Sequence, residues 1–480
     1  MKNIKIVLTG FIGLFLFQSC SEDKMDEINT NKNNPLTVPT RLVITDVITA
    51  TAFDVTGSDY SFYAGVYSEL NAGVFGQLYD AQNRDGQPQL ASTYNNNWNS
   101  SYRQLSTLKG IISKCSVGGA ESGNYTTLGI AQILYAYNLA VLTDLFGDIP
   151  NSEALRPKEI LQPKLDKQED VYKEIFKTLN DGISNLEKTT TYPSLGVQDL
   201  IYAGNAAKWK KAANGLLARY TMRLSLKKAD YPSVINYVDA SFASANEELK
   251  LVSNFIPNPY SRFETDRSYL AVSKSFYDRV NANGPLDARA DGYFTKKAGV
   301  VKTFNNSILN EVNAVKIYSI SALISDKNPI YLLSYHELLF LKAEAQARLG
   351  QDLNALNTLK LAIKAAYLKE QVVRFTSAQA DAYIATIPVL TGNDLLKRIM
   401  VEKQISFYEN EGIEAYNDVR RLKAMNNADL LPLVNPKPLF FPKRFGYGTS
   451  DVSTNPKVKA AFGDGSYVYS EDVWWAGGTR

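Results

Sequence analysis

Between Ile130 and Phe146 the chain reads IAQILYAYNLAVLTDLF, apolar on nearly every face and interrupted only by Gln132, Asn138, Thr143 and Asp144. A helix that is apolar all round belongs in the middle of a large core or in a membrane. A spanning helix needs about 20 mostly apolar residues, and the polar interruptions favour the core. Gly147 supplies a helix stop and Pro150 keeps the helix from resuming. The pattern therefore predicts a buried helix that ends in the turn FGDIP, with other helices packed around it. Asp144 is expected to cap or bond that turn.

Length and charge narrow the remaining choices. A prior of about 150 residues per domain would divide the 480 residues into roughly three, but chains of helical repeats escape that prior. The 52 basic and 49 acidic residues nearly balance and form no long run of one sign, whereas nucleic-acid binders show a basic face; nucleic acid is not an expected partner. Tyrosine is unusually frequent, 29 residues, as many as glycine. Its flat ring and polar tip suit wet binding surfaces, or else helix–helix seams.

A single histidine, His336, and two cysteines leave no His/Cys metal site of finger-type spacing. A Ser-His-Asp triad would have to use His336, and no GxSxG elbow accompanies it. There is no Walker A loop and no GxGxxG after a strand pattern. His336 reads as a packed or capped helix residue. No catalytic residue, metal or cofactor is expected. A glycosidase built on two carboxylates stays open at this level, because spacing between acids is a matter of geometry.

Lys2 and Lys5 precede the apolar run Ile6–Phe17, and Cys20 follows. A basic start and a short apolar run read as a secretory signal, 1–19, too short to cross a bilayer comfortably. The order LFQSC resembles a lipoprotein lipobox, although Phe17 and Gln18 replace the usual leucine and small residue, and it makes Cys20 the lipid-attachment residue. Several acyl chains on one residue anchor stably. Glu22 and Asp23 behind it resemble an acidic tag for surface export. Residues 20–40 read as a flexible tether, rich in Asn, Asp, Thr and Pro. Cys115 is then a free thiol with no disulfide framework, and stability must come from a large core.

From residue 41 to 480 the pattern is one mainly α-helical domain. Helical patterns are expected at Arg41–Asp54, Ser61–Tyr79, Trp98–Lys114, Asp166–Glu187, Asn205–Ala240, Leu338–Leu368, Asp394–Tyr408 and Gly412–Met425. Two helices per roughly 34 residues in 205–240 and 338–368, with Ala345 and Ala355 where backbones approach, look like tetratricopeptide units. Ala81–Asn99 reads as a polar loop carrying aromatics, and 254–329 and 430–480 as loop-rich, with strand-like runs such as VKIYSI. The layout is a scaffold of helical pairs carrying a large irregular face.

Seven segments in this order together resemble the SusD/RagB family, specifically its starch-binding-associated branch of SusD-like outer-membrane lipoproteins. They are EINTNKNNPLTVP, LTDLFGDIPNSEAL, DLIYAGNAAKWKKAANGLLARYTMRLS, LDARADGYF, YLLSYHELLFLKAEAQARLG, ISFYENEGIEAYNDVRRL and VWWAGG. They run from about residue 20 to 475, the whole mature chain. The resemblance implies a lipid-anchored protein of the outer membrane facing the cell exterior, without catalytic machinery. It also implies a partnership with a TonB-dependent outer-membrane transporter and capture of an oligosaccharide for import. The same scaffold with a peptide cargo, or as a lid of the transporter with no ligand at all, shares these motifs.

Aromatic rings offer apolar faces to sugar C–H surfaces while amides, acids and guanidinium groups satisfy hydroxyls. The loop Gln77–Tyr102 has this mixture, and from it Tyr79, Arg84, Asp85, Tyr94, Asn96 and Trp98 are candidate ligand contacts, Trp98 being equally suited to the core. The loop Asn258–Tyr269 adds Tyr260 and Arg262. For the anchor the expected outcome is simple: Cys20→Ala releases the protein from membranes, and a variant that still fractionates with membranes would refute lipidation.

Overall fold

In the computed structural model, which describes residues 38–253 and 255–480, the apolar stretch forms the helix Tyr125–Phe146, and 94% of its most apolar window is buried inside the protein. It is the one helix among the described residues that is long and apolar enough to cross a membrane, and its surroundings are other helices. The signal segment, Cys20 and the tether as far as residue 37 lie outside the described residues.

Taking helices of eight residues or more in chain order, α1 is Thr40–Ala50, α2 Asp59–Tyr67, α3 Gly76–Asn83, α4 Asn95–Cys115, α5 Tyr125–Phe146, α6 Gln168–Leu186, α7 Ala206–Arg223 and α8 Tyr231–Asp239. Next come α9 Pro259–Asp266, α10 Lys274–Asn281, α11 Tyr335–Arg348, α12 Asp352–Tyr367, α13 Ser377–Ile384, α14 Gly392–Ser406 and α15 Gly412–Ala424. Among the described residues strand is confined to three short antiparallel pairs; in one of them β1 (Asn71–Gly73) pairs with β2 (Leu270–Val272). The protein is mainly α-helical, with irregular segments carried on the helices.

Most neighbours in sequence are neighbours in space. α4 packs on α5, α5 on α6, α6 on α7, α7 on α8 and α11 on α12, as short connections between helices produce, while α8 packs on α11 across the long segment 240–334. The crossing of α5 and α6 uses two glycines. A Cβ on Gly129 of α5 would lie 2.8 Å from the Gly182 carbonyl oxygen of α6, and one on Gly182 would lie 3.1 Å from that of Gly129. Ala345 and Ala355 are likewise fully buried where α11 and α12 meet.

The expected helix Ser61–Tyr79 is divided. α2 stops at Tyr67, the chain becomes strand β1, and α3 starts at Gly76. The loop expected over 81–99 is correspondingly short, because α3 runs to Asn83 and α4 begins at Asn95. The run VKIYSI forms no regular strand; only Ser321 just beyond it bridges Phe294.

Charge is buried among the helices in quantity. Arg219 of α7 donates through Nε to Glu337 of α11 at 2.7 Å and approaches Glu414 of α15 at 3.8 Å. Arg223, one turn on, pairs with Glu414 and, at 3.3 Å, with Asp144 of α5. Asp144 also accepts from the Tyr172 hydroxyl of α6. Asp144 therefore ties α5 to α6 and α7 rather than capping its own turn, which is closed by the Thr143 hydroxyl donating to the Gly147 carbonyl at 2.7 Å. Arg421 of α15 forks onto Glu344 of α11 with both bonds at 2.7 Å. Fully buried Arg289 joins Asp287 and Glu402 at 2.8 and 2.7 Å.

Burial disfavours the Glu414 carboxylate, but Arg223 and Arg219 outweigh it and hold its pKa down from 4.5 to about 2. A carboxylate depressed in the folded state contributes stability that is full above its unfolded pKa and is lost as pH falls through the folded one. Glu414→Gln, which leaves two buried guanidinium groups short of a partner, is expected to lower the unfolding free energy at pH 7 by about 3–5 kcal/mol. The difference from wild type should narrow as urea melts are repeated from pH 4.5 down to pH 2. Equal stability at pH 7 would mean that Glu414 is solvated.

Candidate ligand-binding site

The two loops that sequence marks as candidate contacts meet in space. Pairing of β1 with β2 sets Asn71 opposite Val272 and Gly73 opposite Leu270, and the Val74 N–H donates to the Tyr269 carbonyl at 2.8 Å. Phe75, extended just before α3, thereby lies against Tyr269, with ring centroids 5.3 Å apart and planes inclined by 48°. Phe75 is 40% exposed, and Tyr269 is half-buried. Gly76 adopts φ +53°, and a Cβ there would lie 2.9 Å from the Tyr269 ring, so the helix begins flush against that ring.

Behind the pair the rings continue inward. Tyr269 meets Phe263 edge-on at 5.9 Å, Phe263 lies 4.5 Å from Phe62, and Phe62 meets Tyr260 edge-on at 4.7 Å. Packed rings in a row resist rotation, so the outermost ring is held at a fixed angle to solvent. One turn further along α3, half-buried Tyr79 packs edge-on to Phe304 and donates to the Glu311 carbonyl at 2.9 Å.

Four of the expected contacts are buried, and for Tyr94 and Trp98 the cause is a segment from the far end of the chain. Tyr94 is wholly buried, stacked on Phe445 at 4.0 Å, with its hydroxyl 2.8 Å from that of Tyr67. Trp98 is buried against Phe146, Tyr102 and Tyr447 and donates from Nε1 to Asp451 at 2.6 Å. The segment Phe441–Tyr447, more than 300 residues further along the chain, covers both. Tyr260 is buried with its hydroxyl 3.0 Å from Ser61 Oγ; burial raises its phenol pKa and keeps it neutral. Arg84 is buried as well, its guanidinium 4.9 Å over the Tyr67 ring.

The others reach solvent. Asp85 is exposed and pairs with Lys437, Arg262 is exposed and pairs with Asp266 at 2.6 Å, and Asn96 lies exposed in the first turn of α4. Phe75 is absent from the sequence-derived set because the periodicity of 61–79 places it inside a helix. The signal lies in the Gly-Val-Phe-Gly run, Gly73–Gly76, which no continuous helix tolerates well.

His336 has a serine and a carboxylate beside it, yet not as a relay. Its Nε2 faces both Ser334 Oγ at 3.1 Å and Glu411 Oε2 at 2.7 Å, while Nδ1 has no partner. A relay needs the serine and the acid on opposite ring nitrogens, and all three side chains are buried away from any substrate. Among the described residues no group of three or more His, Cys, Asp or Glu side chains is placed to hold a metal ion.

A family model described as "starch-binding associating with outer membrane" matches residues 33–446. A SusD/RagB family protein from Bacteroides thetaiotaomicron has a solved structure with 35% identity and a TM-score of 0.83, over 92% of this chain and 100% of its own. A chitin-binding SusD homologue from Flavobacterium johnsoniae is 19% identical with a TM-score of 0.73, over 91% of this chain and 99% of its own, and shows the shared fold. No curated protein matches the chain. The chain belongs to the SusD-like family, the SusD/RagB proteins associated with the outer membrane.

Since Trp98 is part of the core, Trp98→Ala is expected to lower stability by about 3–5 kcal/mol, read as a fall in the thermal midpoint. A midpoint equal to that of wild type would return Trp98 to the surface.

Proposed function

We propose that this chain is a cell-surface lipoprotein, tethered through Cys20, that captures an oligosaccharide on the Phe75–Tyr269 ring pair and passes it to a TonB-dependent outer-membrane transporter. The observation that carries this reading is the exposed, braced ring of Phe75 at the point where the two candidate loops join. Its apolar face suits a pyranose C–H face, and the exposed Gln77, Asp80 and Arg262 nearby in sequence supply hydroxyl partners. The family description, starch-binding, and the chitin-binding relative support a glycan as the cargo. Residues 20–40 would serve as the tether and 41–480 as the binding domain.

Two stacked rings, each worth about 0.5–1.5 kcal/mol beyond area, and a few hydrogen bonds place the affinity near millimolar, about −4 kcal/mol. Such weakness suits a carrier that must release its cargo. Calorimetric titration with neutral oligosaccharides derived from starch and chitin is the test. Phe75→Ala with Tyr269→Ala should weaken binding at least tenfold while the circular dichroism spectrum stays helical. A glycan that titrates the double variant as it does wild type would move the site elsewhere.

A further inference from the structure

The two ends of α3 differ in character. Phe75 stands before its first turn, and Arg84 ends it, about 12 Å away by the 1.5 Å rise per helical residue. Arg84 is held at φ 58°, a left-handed conformation that favours glycine or asparagine at a helix end. Only 4% of the residue is exposed, yet its side chain lines a cavity of about 320 Å³ together with Lys423 and Lys437. Strained backbone that places a charged group at a cavity wall is a mark of function.

Two of the three cations in this wall lack anions. Arg84 spends Nη1 on the Ala81 carbonyl at 2.8 Å, while its buried Nε has no hydrogen-bond partner, and the guanidinium forms no ion pair among the described residues. Glu69 is close enough to favour its charge, but Glu69 Oε1 already accepts the Val434 and Asn435 N–H groups, both at 2.9 Å, and Oε2 the Ser275 hydroxyl at 2.8 Å. Lys423 forms no ion pair among the described residues and sits 4.0 Å over the Phe441 ring. Burial lowers the pKa of both groups, and for Lys423 the neighbouring Arg84 lowers it further. Lys437 is paired with Asp85, which leaves Asp429 as the one carboxylate in the lining against two cations.

The rest of the wall is apolar, formed by Leu431, Pro432, Leu433, Pro438 and the Phe441 ring. We infer that this cavity binds the carboxylate-bearing residue of an acidic glycan, a hexuronate, with its carboxylate on Arg84 and Lys423 and its C–H face on the Phe441 side. A planar guanidinium fork matches a carboxylate, and a volume near 300 Å³ is at the small end of ligand pockets, enough for one sugar ring. The inference does not rest on the Phe75–Tyr269 pair, and the two are tested separately.

The experiment is a calorimetric titration of the full chain with glucuronate, glucose and inorganic sulfate. Glucuronate should bind at least tenfold more tightly than either of the others. Lys423→Gln, a change at an exposed position, and Arg84→Gln should each weaken glucuronate at least fivefold, whereas Lys177→Gln, on the exposed face of α6, should leave it unchanged. Glucose binding as tightly as glucuronate would overturn the anion site, and sulfate binding as tightly would overturn the sugar assignment. A Lys423→Gln variant with wild-type affinity overturns the inference even if Arg84→Gln fails to fold.

Discussion

The structure depends on charge buried between helices that are far apart in sequence. Asp144, Arg219, Arg223, Glu337 and Glu414 link α5, α7, α11 and α15 through side chains with little or no access to water. Glu344, Arg421, Asp418 and Lys403 link α11, α15 and α14. Such pairs are not strongly stabilising in themselves, since apolar residues of the same volume often do as well. Their force is in the alternative: sliding any of these helices by one turn leaves a bare charge in a dry interior. The network therefore selects one register for helices whose apolar surfaces alone would tolerate several.

The segments that carry the family resemblance are the segments that supply this network. ENEGIEAYNDVRRL contributes Glu414, Asp418 and Arg421, the run through ARYTMRLS contributes Arg219 and Arg223, and LDARADGYF contributes Asp287 and Arg289. Their acids and bases read as solvated helix faces when each segment is considered alone. They become intelligible only as pairs across the fold: Arg421 finds Glu344 at a separation of 77 residues, and Arg223 finds Glu414 at a separation of 191.

A rigid interior is what permits an irregular exterior to be specific. The row of rings from Tyr260 to Phe75 transmits the order of the core to one exposed aromatic. The abundance of tyrosine has a related explanation. Most of the tyrosines are buried, where the ring fills the interior and many of the hydroxyls find a partner. Tyr67 and Tyr94 share such a bond, and the Tyr137 hydroxyl lies 2.9 Å from that of Thr56.

The sequence alone determined the longest helices, because helix formation is written in local spacing: the all-apolar run 130–146, its stop at Gly147 and the helix expected over 166–187 all fall where expected. It also determined the family, through the order of its segments. Tertiary structure alone decided which aromatics face water. Tyr94 and Trp98 lie in a polar stretch and look exposed, but the segment 441–447 closes over them from the far end of the chain. Phe75 lies in a helical pattern and looks buried, but pairing with the strand at 270–272 turns it outward. In both cases the deciding contact joins residues hundreds of positions apart, and burial is a property of the whole surface rather than of any window along the chain.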